Sequence, residues 1–542
     1  MVSRKDFFSR VGFSKAWSPL NAPSPGISSL NRITYGATAL EIEKVKNKGL
    51  NAFIEEQLHP TNEDEKVNDK IAAAVLQIKY PEKDGYPALD ELRPLKHLNE
   101  PIEELWKLTS KDLAFTNQEK VRPLEEVRVA SWLRAVYSPW QLREIMVEFW
   151  HNHFNVNASD PKIAIVFPVY DRDVIRKNCL GNFREFLEDV AKSTAMLYYL
   201  DNFTSKASPA NENYARELFE LHTLGSDFYY NNLYNKWRSV PGALQGKPIG
   251  YIDEDVYEAA RAFTGWTVAD GSNIGGDKLP DTGRFYYYDG WHDNYQKRIL
   301  GNEISPNQPA LSDGHRALDL VAYHPATANH VCKKLCIRFI SDDPSESVIK
   351  GAVKVWMAHQ ESPDQISQTL KHILSTKEFT SAWGKKVKRP FHLVASIFRM
   401  AGADVTPTGG MTGQLAQMGY YHYNWQTPTG HPDKMDYWLS SNSMLARWNS
   451  ASSALWINPN NKVATYDFVS MMPAGMDKPT DLTTFWIERI LQKEKPPEFI
   501  NAMTGFMANN GKVNQSIPAD KINNRVSGLI ALLAMTLDFQ LI

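Results

Sequence analysis

The sequence predicts an all-α, mainly helical class: one large multi-helix globular fold carrying a small antiparallel β-hairpin insert. Three observations predict it. From Leu30 onward, apolar residues recur at helical spacing over most of the chain. Pro and Gly clusters at Pro101, Pro139, Ser208-Pro209, Pro241-Gly242 and Pro306 to Pro309 cut that pattern into pieces of helical length. A 43% hydrophobic content in 542 residues supplies a core that needs no disulfide staples.

In chain order, residues 1–28 are rich in Ser and Pro, lack periodicity and read as an N-terminal arm. Within it, Ser3-Arg4-Lys5-Asp6-Phe7-Phe8 resembles a twin-arginine export box with one arginine replaced, but no apolar stretch follows. Residues 29–450 form the main helical body. Its helices are expected at 40–58, 88–108, 123–137, 139–154, 169–198, 211–224, 253–266, 313–339, 345–376, 388–402 and 433–450. Residues 451–542 add a helical segment packed on that core, with helices at 479–494 and 519–537. Residues 267–302 depart from the pattern: Gly, Asp and the run Phe285-Tyr286-Tyr287-Tyr288 have the composition of a hairpin. The polar stretch 225–250 reads as a loop, either a lid over a site or a plain insertion.

Charge excludes some partners. Sixty Lys and Arg against 62 Asp and Glu leave a net charge of -2, too little field to hold a nucleic acid. No run of about 18 apolar residues occurs, so no membrane span is expected. Cys179, Cys332 and Cys336 match neither a disulfide framework nor a zinc ribbon and read as buried thiols.

Four stretches carry polar residues that folding alone does not require. In Glu148-Phe149-Trp150-His151-Asn152-His153-Phe154, a helical projection puts Leu142, Met146, Phe149 and His153 on the core face and Glu148 with His151 on the opposite side. A Glu-x-x-His pair there is a metal-ligand pair, a carboxylate orienting an imidazole, or a solvated face. In Asn211-Glu212-Asn213-Tyr214-Ala215-Arg216-Glu217, followed by Leu218 to Gly225, Asn211 is a capping residue and Glu217 falls among core leucines. A carboxylate in that position is a general acid of raised pKa, a metal ligand, or half of an ion pair, for which Arg261 is one candidate partner. His222 lies at the edge of the same face. A third stretch joins Arg261 and Trp266 to His292, Asp293 and Lys297 across the hairpin. The fourth, Tyr420 to Pro432 with Tyr437-Trp438, is dense in aromatics, including Tyr421 and Trp425, and suits the flat apolar face of a sugar ring.

Taken with Leu30-Asn31-Arg32-Ile33-Thr34-Tyr35-Gly36, Gln57-Leu58-His59-Pro60, Ala260-Arg261-Ala262-Phe263-Thr264-Gly265-Trp266, His324-Pro325 and Lys388-Arg389-Pro390, these stretches resemble successive blocks of the domain-of-unknown-function 1800 family. That resemblance implies a bacterial protein, commonly exported and often encoded beside an alkaline-phosphatase-like protein, which is a partner to consider. It implies no settled activity. A periplasmic or extracellular location follows from the resemblance, while the missing apolar part of an export signal keeps the cytoplasm open.

Three functional readings remain at this point. The first is a hydrolase-like enzyme without a cofactor, acting on a glycan, with Glu217, Glu148, His153 and Arg261 as catalytic residues. Its substrate contacts are Trp266, His292, Asp293, Asn211, Tyr421 and Trp425. The second is a transition-metal enzyme using Glu148, His151, Glu217 and His222 as ligands. The third is a non-enzymatic scaffold for a secreted partner, its polar blocks forming a buried network.

Overall fold

Six of the described helices begin at a proline. Pro25, Pro161, Pro325, Pro390, Pro479 and Pro497 each sit in the first helical turn, where their missing N–H is not needed. The Ser24 hydroxyl caps Pro25–Ile33, and the Asp160 carboxylate caps Pro161–Val169. The computed structural model describes residues 22–61, 65–83, 85–110, 115–408, 410–457, 463–509 and 511–542. Most of the N-terminal arm, including the export-like box, lies outside the described residues.

The fold is mainly α-helical, and its strands pair only into small two-stranded antiparallel sheets. The expected hairpin insert is present. Trp266–Asp270 pairs antiparallel with Asp281–Tyr287, and Lys297–Ile299 with Asn302–Ile304. The cysteines are buried free thiols. Among the described residues no helix is long and apolar enough to cross a membrane.

Several predicted helices are divided. Gly49, at φ 84°, separates Ala39–Lys48 from Leu50–Leu58. Residues 313–339 split at His324-Pro325 into Ser312–Ala322 and Pro325–Phe339, because Pro325 cannot continue the first helix. In 345–376 a turn separates Glu346–Ala358 from Gln365–Leu374. Residues 88–108 are not one helix: Leu89–Pro94 pairs with Val75–Tyr80, and Ile102–Trp106 starts only after Pro101. Pro94 and Pro101 deny a helix the backbone donors it needs. At 225–250 the backbone makes short 3₁₀ turns around Val240, Ala243 and Ile252, with Tyr230, Leu233 and Trp237 packed on them.

Two segments wind as π-helix, Tyr170–Arg176 and Leu218–His222. Such turns hold one residue more than an α-turn and recur at functional sites.

The chain divides into two compact units, and the division does not follow residue 450. One unit comprises the described residues up to Phe53 with Lys377–Thr406 and Trp438–Ile542. Its segments are tied by buried arginines: Arg32 donates to the carbonyls of Ala382 and Ile542, and Arg447 to those of Lys388 and the Gln540 side chain. The other unit comprises Ile54–Thr376 and Pro407–Tyr437. At its centre Asn117–Tyr137 packs against Pro161–Val169, and it contains all four polar stretches except Trp438.

Candidate active site

The helix Gln141–His153 buries Leu142, Met146, Phe149 and His153, as its periodicity requires. Its opposite side is not solvated. His151 is only 7% exposed, and its Nε2 lies 2.9 Å from Asp171 Oδ1. Asp171 stands on the Tyr170–Arg176 π-turn and receives Arg176 Nε at 2.7 Å, while Arg176 Nη1 reaches Glu144 Oε2 at 2.9 Å. Burial alone would raise the Asp171 carboxyl, but Arg176 and the hydrogen bond from His151 hold it well below the ordinary carboxylate range. His151 is therefore a neutral imidazole oriented by an ionised aspartate, and burial lowers its pKa. Glu148 points elsewhere, to Arg338 Nη2 at 3.4 Å and the Tyr420 hydroxyl at 3.4 Å.

The end of this helix holds the aromatic loop. Asn152 Nδ2 donates to the His431 carbonyl at 3.0 Å, and its Oδ1 accepts from the His431 N–H at 2.6 Å. Gly430 is needed at this contact, since a Cβ there would stand 2.1 Å from the Asn152 carbonyl oxygen. Asn155 Nδ2 donates to the carbonyls of Trp425 and Thr427 at 3.0 and 2.9 Å. Tyr423 adopts φ 62°, a conformation costly for a bulky residue. It is held there by Ala158 N–H on its carbonyl, Ser131 on its hydroxyl, and His151 and Phe167 against its ring. On the outer side, half-buried Trp425 lies against His431 between Tyr421 and Tyr437, which are 47% and 42% exposed.

Glu217 ends the helix Glu212–Glu217, whose N-terminus is capped by Asn211. Asn211 Oδ1 accepts from Asn213 N–H at 3.0 Å and its Nδ2 donates to the Asp201 carbonyl at 3.1 Å, so its side chain is occupied by the backbone. The π-turn that follows rotates the projection: Phe219 and His222 enter the core, and Leu221 is left half-buried. Glu217 is half-buried too, rather than enclosed among leucines. Among the described residues it has no hydrogen-bond or ion-pair partner. Neighbouring Arg216 reaches Glu212 and Asp253 instead. Burial, and then the like charge of Glu220, raise the Glu217 pKa. Glu217 in turn adds to the burial that pushes the Tyr199 phenol up to about 12, and the Tyr199 hydroxyl donates to the Gln426 carbonyl at 2.9 Å. The carboxylate and the aromatic loop thus share Tyr199 as a neighbour. His153 completes the connection, with its Nε2 3.1 Å from the His222 carbonyl oxygen.

Other predicted residues go elsewhere. Arg261 is not the partner of Glu217: it grips Asp293 with two bonds, at 2.7 and 3.0 Å, and Glu258 with a third at 2.8 Å. The paired guanidinium outweighs burial and keeps the Asp293 carboxyl low. His292 Nε2 lies 3.2 Å from Asp313 Oδ2, which also takes Lys297 Nζ at 2.6 Å. Arg261 thus fastens the segment after the hairpin to the helix Asp253–Ala262, and His292 and Lys297 fasten it to the helix Ser312–Ala322. Trp266 is 0% exposed, wedged edge-on between Phe263 and Phe285. It has no face to offer a substrate, because its indole fills the core beneath the hairpin. The four ligands of the metal reading are divided among separate contacts: Glu148 on Arg338, His151 on Asp171, His222 beside His153, and Glu217 alone.

Periodicity overlooked Asp171, Arg176, Tyr199 and Asn155. Asp171 carried a signal, an acid directly after the apolar run Ile163 to Tyr170; Tyr199 and Asn155 carried none, since their roles exist only after folding.

No curated protein and no solved structure matches the chain. A family model described as "Protein of unknown function (DUF1800)" matches residues 28–541, which extends the blocks recognised in the sequence through the C-terminal helices. With nearly the whole chain aligned to that model, this protein belongs to the DUF1800 family.

Proposed function

We propose that this chain is a hydrolase acting on a glycan, with Glu217 as its proton donor and the Tyr421, Trp425 and Tyr437 rings as the surface on which a sugar rests. One observation carries the reading: a half-buried carboxylate of raised pKa, without a cationic partner among the described residues, beside a loop of exposed aromatic rings. Such a carboxyl keeps its proton where ordinary glutamates have lost theirs, and can deliver it to a departing glycosidic oxygen. Glu148, ion-paired to Arg338, is the second carboxylate of this mechanism. The aromatic loop loses little entropy on binding because Asn152 and Asn155 already fix its backbone at Trp425, Thr427 and His431.

The test is release of reducing ends from a panel of neutral and charged polysaccharides. Glu217→Gln is expected to lower kcat by about 10²- to 10⁴-fold with an unchanged far-ultraviolet circular dichroism spectrum. The activity of the wild-type enzyme is expected to fall as pH rises and Glu217 ionises. Release that survives Glu217→Gln undiminished, or no release from any polysaccharide, removes the reading.

A further inference from the structure

Lys388 and Arg447 carry two positive charges into the interior of the unit that contains Lys377–Thr406 and Trp438–Ile542, in residues 3% and 0% exposed. They are neighbours: Arg447 Nη2 donates to the carbonyl of Lys388 itself at 2.5 Å, while Nε donates to Gln540 Oε1 at 2.6 Å. Gln540 is held in turn by its Nε2 on the Ala534 carbonyl at 2.7 Å and by its own carbonyl, which accepts from the Lys388 N–H at 2.9 Å. The guanidinium is thereby fixed on two of its nitrogens. The third, Nη1, is buried without a hydrogen-bond partner. Lys388 Nζ stands 3.7 Å from the centroid of the Phe539 ring and, among the described residues, has no hydrogen-bond or ion-pair partner. A ring face attracts a cation but does not replace a counter-ion. Asp538, the residue before Phe539, is taken by Lys493 and Lys495.

Charges taken out of water without a counter-ion are costly. Burial, and then the Arg447 charge, push the Lys388 ammonium down to about 7, and burial lowers Arg447 to about 9; among the described residues no carboxylate offsets either. Donors in excess, one of them clamped in place, call for an acceptor that brings negative charge. We propose that Lys388 Nζ and Arg447 Nη1 bind one small carboxylate anion, with one oxygen on each cation. A carboxylate offers two oxygens with about four lone-pair sites, which the free hydrogens of Nη1 and Nζ can meet. A phosphate brings a second charge and further oxygens for which this pair has no hydrogens. Enclosure of both side chains limits the ligand to the size of formate or acetate. The anion is held as the unit closes on it, so it binds the folded chain and not the unfolded one. The site is independent of the Glu217 reading.

The full chain, dialysed into a chloride buffer free of carboxylates, is equilibrated with radiolabelled formate. The expected result is saturable binding of one equivalent per chain, with a urea midpoint that rises at each tenfold step in formate. Lys388→Met puts an apolar side chain of similar length where a buried charge stood, so its circular dichroism spectrum is expected to stay native while formate binding weakens at least about tenfold. Absence of saturable binding in the wild-type chain, or undiminished affinity in folded Lys388→Met, overturns the proposal. The first of these outcomes needs no variant to fold.

Discussion

Asp171 and Glu217 are both acids near the core, and their surroundings treat them oppositely. Asp171 has Arg176 on one oxygen and His151 on the other, so it is ionised although buried. Removing its charge leaves Arg176 shared only with Glu144 in a dry setting. Asp171→Asn is expected to destabilise the fold by about 3–5 kcal/mol, measured as a lower urea midpoint. The pH dependence has a definite sign. Because the folded pKa is depressed, this contribution is present above the unfolded aspartate value of about 3.9 and is lost as pH falls towards the folded one. The wild-type midpoint should therefore approach that of Asp171→Asn in acid, and a constant gap between the two would contradict the assignment. Glu217 carries the reverse dependence, since a raised pKa makes folding less favourable as pH rises through it.

At the scale of elements, the helix Gln141–His153 acts as a hub whose end residues each reach a different neighbour. His151 reaches the Tyr170–Arg176 π-turn, Asn152 the aromatic loop, and His153 the Leu218–His222 π-turn. Asn152→Ala should free residues 420–432 without unfolding the helix. Amide hydrogen exchange in that loop is expected to quicken at least tenfold while exchange in 141–150 is unchanged; equal protection in both would show that the loop stands without Asn152. The helices are legible because burial of one face imposes a period on the sequence, and the hairpin insert because its Gly, Asp and aromatic composition breaks that period. The π-turns are not, because one inserted residue per turn leaves no mark in a period read over many turns. For that reason Glu217 was placed among leucines when it is half-buried, and His222 at an edge when it is enclosed. The pair Val75–Tyr80 and Leu89–Pro94 escaped because its strands are largely exposed, so no alternation of burial was written into them. Trp266 shows the converse limit: composition finds a tryptophan beside polar residues but not which side of the hairpin it fills.

For the molecule as a whole, sequence adjacency and compactness disagree. A boundary near residue 450 follows the end of the recognisable blocks, whereas the structure assembles one unit from three distant stretches and encloses most of the other within a continuous run, Ile54–Thr376. The three-stretch unit depends on late residues. Arg32 bonds to Ile542, and Arg447 to Gln540, so the helix Pro25–Ile33 finds a partner 510 residues further along the chain. On the ribosome these two units have different waiting times. The enclosed unit receives its last stretch with Tyr437, while the other leaves the apolar faces of Pro25–Ile33 and Pro390–Met400 incompletely covered until Trp438–Ile542 emerges. Chains stalled after about residue 480 should yield a protease-resistant fragment from the enclosed unit alone, and they should recruit a holdase chaperone through those waiting helices. Synthesis of this protein therefore has a built-in interval of exposure, one that lengthens whenever translation of Trp438–Ile542 slows.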